Sequence, residues 1–202
     1  LIDGGDFGRA ERLEIDDVYV GRGANADGLL RIESGSFYAY HDNSDLRLGL
    51  DDGTGRLEIS GTSPTAIQIG RDFKIDSTTS SIAFEIDAGG VTPISVGHGN
   101  TPDLVLGGAL DISLLAAPPV ADISLITLQQ APSSTSGTFS GLAEGDTVTA
   151  DFGGTTYGWD ITYQGGDYSS DVILQDMHII PEPGSILLLA LGGLALFRRP
   201  RR

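Results

Sequence analysis

Between residues 18 and 35 the chain reads Val18-Tyr19-Val20-Gly21-Arg22-Gly23, then Gly28-Leu29-Leu30-Arg31-Ile32 and Gly35, setting alternating apolar residues between glycines. The phrase returns as Leu46-Arg47-Leu48-Gly49, then Gly53-Thr54-Gly55-Arg56-Leu57-Glu58-Ile59-Ser60-Gly61. Leu30 and Leu57 stand 27 positions apart and Gly21 and Gly49 stand 28 apart, so the unit is a repeat that slips by a residue. Period-two alternation over so few residues specifies strands too short to bury their own apolar face. Stacking one coil of chain on the next solves this, because every strand gains a neighbour and the inner faces merge into one core. The fold class expected is therefore all-β, a short parallel β-solenoid, with a β-sandwich as the alternative.

Fragments of the phrase continue in Ile67-Gln68-Ile69-Gly70, Ile94-Ser95-Val96-Gly97-His98-Gly99 and Leu104-Val105-Leu106-Gly107. Composition agrees with many tight turns and thin strands: 29 glycines in 202 residues, only 7% aromatics and a single Trp. With 40% hydrophobic residues the chain has enough apolar surface for a core. The repeats resemble those of autotransporter-type passenger domains, in which V-G-x-x-G-x-G-x-L-x-I-x-x-G recurs, most closely over residues 13–61. Ser81-Ile82-Ala83-Phe84-Glu85-Ile86-Asp87 with Gly90-Val91-Thr92-Pro93-Ile94 resembles closing coils of the same kind. That resemblance implies adhesion or a matrix structure.

At Pro118-Pro119 the character changes, and three regions are expected: solenoid repeats over 1–117, a β-rich cap over 118–178, and a tail over 179–202. The cap is read from Ile123-Ser124-Leu125-Ile126-Thr127-Leu128, from Trp159-Asp160-Ile161-Thr162-Tyr163, and from Asp171-Val172-Ile173-Leu174. A solenoid needs such a cap, because its last coil otherwise exposes a strand edge and an apolar face. Trp159, Tyr157 and Tyr163 are expected to pack as core and cross-strand partners.

The formal net charge is −16, and four of the twelve basic residues, Arg198, Arg199, Arg201 and Arg202, sit in the last five positions. The body is thus more acidic than the sum, which excludes nucleic-acid phosphates as partners and suits an extracellular surface. Cysteine is absent, which removes disulfides, thiolate metal sites and cysteine nucleophiles. Asp42-Asn43-Ser44-Asp45, Asp51-Asp52-Gly53 and Asp167 with Asp171 could offer oxygen ligands to Ca²⁺, but none has a full ligand spacing, and Asp and Gly equally favour exposed turns. Gly165-Gly166-Asp167 resembles a single calcium-binding nonapeptide repeat without the tandem array. No cofactor and no metal site is expected.

Catalytic residues are not expected either. A polysaccharide lyase would need a base beside acidic residues in one groove, whereas Arg22, Arg31, Arg47, Arg56 and Arg71 recur with the repeats and Lys74 is the only lysine. His41, His98 and His178 have no metal-ligand spacing. Gly21-x-Gly23 and Gly97-x-Gly99 lack a strand-to-helix phosphate-binding context and read as coil corners.

The tail reads Pro181-Glu182-Pro183-Gly184-Ser185, then an apolar run including Ile186, Leu187, Leu188, Leu189, Leu191, Leu194, Leu196 and Phe197, then Arg198-Arg199-Pro200-Arg201-Arg202. The prolines delay helix to about Gly184. A helix from Ser185 to Phe197 would span about 20 Å against a hydrocarbon core of about 30 Å, so bilayer thinning or reaching arginines must make up the difference. Basic residues after a membrane helix favour the cytoplasmic side and leave the body outside. Motif, helix and basic stop in this order resemble the PEP-CTERM sorting signal. The resemblance implies recognition of Pro181, Glu182 and Pro183 by an exosortase, a transpeptidase-like membrane enzyme, in cells that make exopolysaccharide. It implies export to the cell envelope, cell surface or medium after transient anchoring in the inner membrane. No basic-then-apolar leader follows Leu1, so an exported protein is expected here as a fragment or processed form. The function expected is a surface or extracellular-matrix structural, adhesin-like protein and not an enzyme; the alternative is a carbohydrate-binding or polysaccharide-cleaving β-helix protein of the same matrix.

Overall fold

The computed structural model describes residues 6–7, 17–39, 41–131 and 133–181. The chain winds about four turns of a parallel β-solenoid, each turn crossing three sheets. The first turn holds β1 (Asp6–Phe7), β2 (Val18–Val20) and β3 (Asp27–Ile32). The second holds β4 (Gly35–Ala39), β5 (Leu46–Leu48) and β6 (Thr54–Ser60), and the third β7 (Pro64–Ile69), β8 (Phe73–Ile75) and β9 (Ser81–Ile86). β10 (Ile94–Val96), β11 (Asp103–Val105) and β12 (Ala109–Leu114) complete the fourth, and β13 (Ile123–Leu128) and β14 (Ser134–Ser136) begin another. The β-sandwich alternative is overturned, since every pairing from β1 to β14 is parallel and joins a strand to its equivalent one turn away.

The alternation read from the sequence sets which side chains meet. In β6, Gly55, Leu57 and Ile59 point inward while Arg56, Glu58 and Ser60 point out, as a half-buried strand requires. Register then stacks like on like: Ile32, Ile59, Phe84 and Ile112 form one inner column. Phe37, Ile67, Ile94 and Ile126 form another, and Val20, Leu48 and Ile75 a third. Most of these side chains are fully enclosed, each burial worth roughly 2 kcal/mol. Leu30 pairs with Leu57, which makes the repeat offset of the sequence a ladder step.

Corners between β2 and β3, and between β5 and β6, are made by glycine. Gly21 has φ +69°, and a Cβ there would stand 1.8 Å from the Thr54 carbonyl oxygen. Gly55 is held as tightly, with its Cβ position 2.3 Å from the Val20 oxygen. Successive coils pack backbone on backbone at this corner, and only hydrogen fits between them.

The parallel ladders run past Ala117, where composition changes, to Ser136, and Pro118 and Pro119 lie in the connection between β12 and β13. The sheet carrying β13 then changes direction. β17 (Asp171–Ile180) pairs antiparallel with β13, β16 (Thr155–Gly165) with β17, and β15 (Thr147–Phe152) with β16. β15 reaches back to lie against β12. Trp159, Ile161, Val148, Val172 and Leu174 join the same hydrophobic core as the coils, so the cap closes the end of the solenoid.

Candidate functional site

Three kinds of residue singled out by their chemistry converge on no single groove, and the structure shows why for each. Four of the five described arginines meet carboxylates one coil away. Arg47 donates two hydrogen bonds to Asp76 at 2.9 and 2.8 Å, and Arg71 does the same to Asp45 at 2.9 and 2.8 Å. Arg31 bonds Glu58, and Arg22 reaches Asp51 at 3.3 Å while lying over the Tyr19 ring at 4.7 Å. Arg56 bonds Glu58 at 2.7 Å and reaches two coils on to Asp111, also at 2.7 Å. Ala83 stands between Glu58 and Asp111 in the ladder, and its methyl group leaves Arg56 room to pass. Hydrogen bonds from Arg56 and then Arg31 hold the Glu58 carboxyl below the usual range. Lys74 pairs with Asp72 at 2.7 Å.

The acidic residues fall into two groups. Asp51 and Asp52 form a tight turn with positive φ, and Asp42 sits in an exposed turn. Asp45 and Asp72 are instead buried, at 4% and 5% exposure. They belong to a column that sequence reading missed: Asp17, Asp45, Asp72 and Asp103 occupy equivalent corner positions before or at the start of β2, β5, β8 and β11. Asp17 accepts the Asp45 N–H at 3.1 Å, Asp72 accepts the Asp103 N–H at 2.9 Å, and Asp103 accepts the Ser134 hydroxyl at 2.7 Å. The signal was an Asp placed just before each alternating apolar pair. Asp17 and Asp72 thus satisfy backbone donors where the chain turns, which would cost free energy if left unmet, while Asp45 and Asp103 accept from the Arg71 guanidinium and the Ser134 hydroxyl. Among the described residues no group of three His, Asp or Glu side chains stands ready to hold a metal ion.

His41 and His98 come to one stacked corner, where Gly99 packs against Asp42, while His178 lies on β17; burial lowers the His98 pKa. Gly21, Gly23 and Gly97 all have positive φ at coil corners, as expected of turns. Gly166 and Ser169, both with positive φ, shape the β16–β17 turn that carries Asp167. Asp171 faces inward from the end of that turn and accepts the Leu128 N–H at 2.8 Å, while burial raises its pKa.

The cap positions the start of the tail. Trp159 is fully enclosed and Tyr157 stacks on it, ring centroids 6.4 Å apart. The Tyr163 hydroxyl donates to the Leu142 carbonyl at 2.9 Å and accepts the Phe139 N–H at 3.2 Å, and burial pushes its pKa up to about 12. Glu144 ties the loop to β16 by accepting from Thr162 Oγ1 and the Tyr163 N–H at 2.6 and 2.7 Å. The three aromatic rings are thus packing residues. On this base β17 runs out to Ile180, paired with Thr156, and Pro181 follows it, exposed. Glu182, Pro183, the apolar residues 186–197 and Arg198, Arg199, Arg201 and Arg202 lie outside the described residues. Among the described residues no helix is long and apolar enough to cross a membrane.

The last described strand of this capped parallel β-solenoid delivers the chain to the exposed Pro181. Residues 180–202 match the family described as the PEP-CTERM protein-sorting motif, so the chain carries that sorting signal. The motif marks an exported protein, sorted to the cell surface through recognition by exosortase. No curated protein and no solved structure matches the chain.

Proposed function

We propose that the solenoid is a structural, adhesin-like component of the cell surface or extracellular matrix, held in the inner membrane by residues 186–197 until its tail is processed. Arg198, Arg199, Arg201 and Arg202 then keep the end of the tail cytoplasmic and the body outside. The body acts by presenting a surface and not by catalysis. The observation that supports this is the use of its cations: each described arginine, and Lys74, is engaged by a carboxylate along the solenoid, chiefly of a neighbouring coil. Such pairs stiffen successive turns and, among the described residues, leave no cation grouped with free acids as a lyase needs.

A second reading, a carbohydrate-binding body in an exopolysaccharide matrix, draws support from one groove. A cavity of about 420 Å³ opens between β14 and the cap, lined by Ser134, Thr135, Thr138, Glu144, Gln164 and Ser169. Its wall of hydroxyls and one carboxylate matches polyhydroxylated ligands.

Intact mass of the protein from membrane, surface and medium fractions of the producing cells tests the leading reading. Expected is a body lacking the residues after the Pro-Glu-Pro motif in the outer fractions, and full-length chain in the membrane for the Pro181→Ala/Pro183→Ala double variant. An uncut chain in the cytoplasm, or unchanged processing of the double variant, overturns it. Retention of the processed body on immobilised exopolysaccharide, lost in Glu144→Ala and Gln164→Ala, would move the assignment to the second reading.

A further inference from the structure

β17 is a strand with two different edges. On one side it pairs with β16 as far as Thr156 and Ile180. On the other it pairs with β13 only through Val172, Ile173 and Leu174. From Gln175 to Ile180, among the described residues, the edge away from β16 has no strand beside it. Open edges are ready templates for another backbone, and proteins blunt them with lysine, proline, inward charge or a bulge. A bulge at Asp176, φ +54°, interrupts this edge, but beyond it Met177-His178-Ile179-Ile180 has no Asp, Glu, Lys, Arg or Pro, His178 to Ile180 pair in regular register with β16, and Ile179 is 60% exposed.

The sorting match begins at Ile180, the final residue of this strand, so the address starts inside a β-ladder and not after it. Proline biases the residue before it toward extended backbone, so Ile180 is held extended both by its pairing with Thr156 and by Pro181. A partner that reads a strand already held by β16 is spared the cost of ordering it.

We propose that the sorting enzyme adds a strand of its own backbone to the open edge of β17, from Met177 to Ile180, as it engages Pro181. The inference rests on the sorting reading of the tail. A second copy of this chain is the other occupant such an edge admits. The enzyme is favoured because edge-to-edge pairing of two copies would cover the first residue of the address in both. Main-chain bonds along the edge would supply affinity, and the exposed Ile179 side chain a pocket contact.

The test follows processing of the full chain in producing cells by intact mass over time. One variant inserts a short Gly-Ser linker between Ile180 and Pro181, leaving strand and motif intact but uncoupled. Two others are His178→Pro and Ile179→Pro. Adjacent residues of an antiparallel ladder alternate in the side their N–H faces, so one of the two removes a donor only from the open edge. Far-UV circular dichroism and thermal melting of the released body identify that variant. Expected is cleavage slowed about tenfold or more in the linker variant and in the folded proline variant, the effect of losing one or two ordinary hydrogen bonds. Wild-type cleavage rates in both, with Pro181→Ala/Pro183→Ala still blocked, overturn the edge while leaving the sorting reading standing. Normal cleavage of that double variant removes both. A released body that sediments as a dimer, and as a monomer once the open-edge donor is gone, assigns the edge to self-pairing and overturns the proposal.

Discussion

Asp45 and Arg71 form a two-pronged ion pair, at 2.9 and 2.8 Å, between residues 26 positions apart that the solenoid brings to one corner. The carboxylate is 6% exposed at its side chain and the guanidinium 36%. Arg22 and Asp51 form a similar bridge in sequence terms but are 56% and 61% exposed. The two pairs separate what geometry contributes from what charge alone contributes.

Arg71→Ala leaves the Asp45 carboxylate enclosed without its two donors, and the loss should be about 1 to 3 kcal/mol. Arg22→Ala removes an exposed pair and should cost about 1 kcal/mol or less. Urea unfolding of the two variants checks the ranking. Equal losses would mean that the buried corner has no special role.

Gly21 and Gly23 both adopt positive φ, at +69° and +98°, but only at Gly21 would a Cβ meet another coil. Gly23→Ala meets open space and pays only the backbone strain, about 1 kcal/mol. Gly21→Ala drives a methyl group into the Thr54 carbonyl, and adjacent coils must separate, so about 3 kcal/mol or more should be lost. Thermal unfolding of both variants distinguishes a conformational cost from a collision.

Acid should weaken the fold through Glu58 and Asp87. Glu58 is held low by Arg56 and Arg31, and Asp87 by the Thr62 N–H first, with the Gly89 and Gly90 N–H groups adding to it. Each contributes stability that is complete above its ordinary carboxyl range and is lost as pH falls through its lowered native value, between about pH 5 and pH 2. Asp171 acts in the opposite sense: burial raises its pKa, so its contribution is largest at low pH and fades as pH rises through that raised value. Glu58→Gln should therefore be less stable than the parent at neutral pH, and the gap should close on acidification. A gap that stays constant with pH would show that the pairing with Arg56 and Arg31 is not what Glu58 contributes.

The repeat of Leu30 and Leu57 was legible because one coil is a nearly constant length of chain, and the ladder uses that offset directly. Ile67 and Ile94 could likewise be matched, and they stack. What the phrase did not reveal was its division among sheets. Leu46-Arg47-Leu48 and Ile67-Gln68-Ile69 look alike in sequence yet lie on different sheets, because a three-residue alternating phrase carries no mark of the direction in which the preceding corner turned. The aspartate column was hidden for a similar reason. Asp17, Asp45, Asp72 and Asp103 resemble ordinary turn residues until the coils stack and give them donors. Pro181 could be placed from sequence as the start of an address, but the open edge of β17 depends on where β13 begins, which is a long-range property of the fold.

The single tryptophan offers a direct test of how cap and coils depend on one another. Trp159 is fully enclosed in the core that also holds Ile126, Leu104 and Phe73, with Tyr157 stacked on one side. If cap and coils share that core, emission from Trp159 should shift at the same denaturant concentration as the far-UV signal of the whole sheet, since a joint core unfolds as one unit. Trp159→Ala should cost about 3 to 5 kcal/mol by the cavity it leaves. It should also lower the midpoint of the far-UV transition, to which the coils contribute most of the strands. The reason is physical: among the described residues β17 is the strand that covers the outer edge of β13, and with β15 to β17 loosened the apolar face of the last coil meets water. A far-UV midpoint unmoved by Trp159→Ala would instead make the coils self-sufficient and the cap an ornament on a solenoid that ends at Ser136.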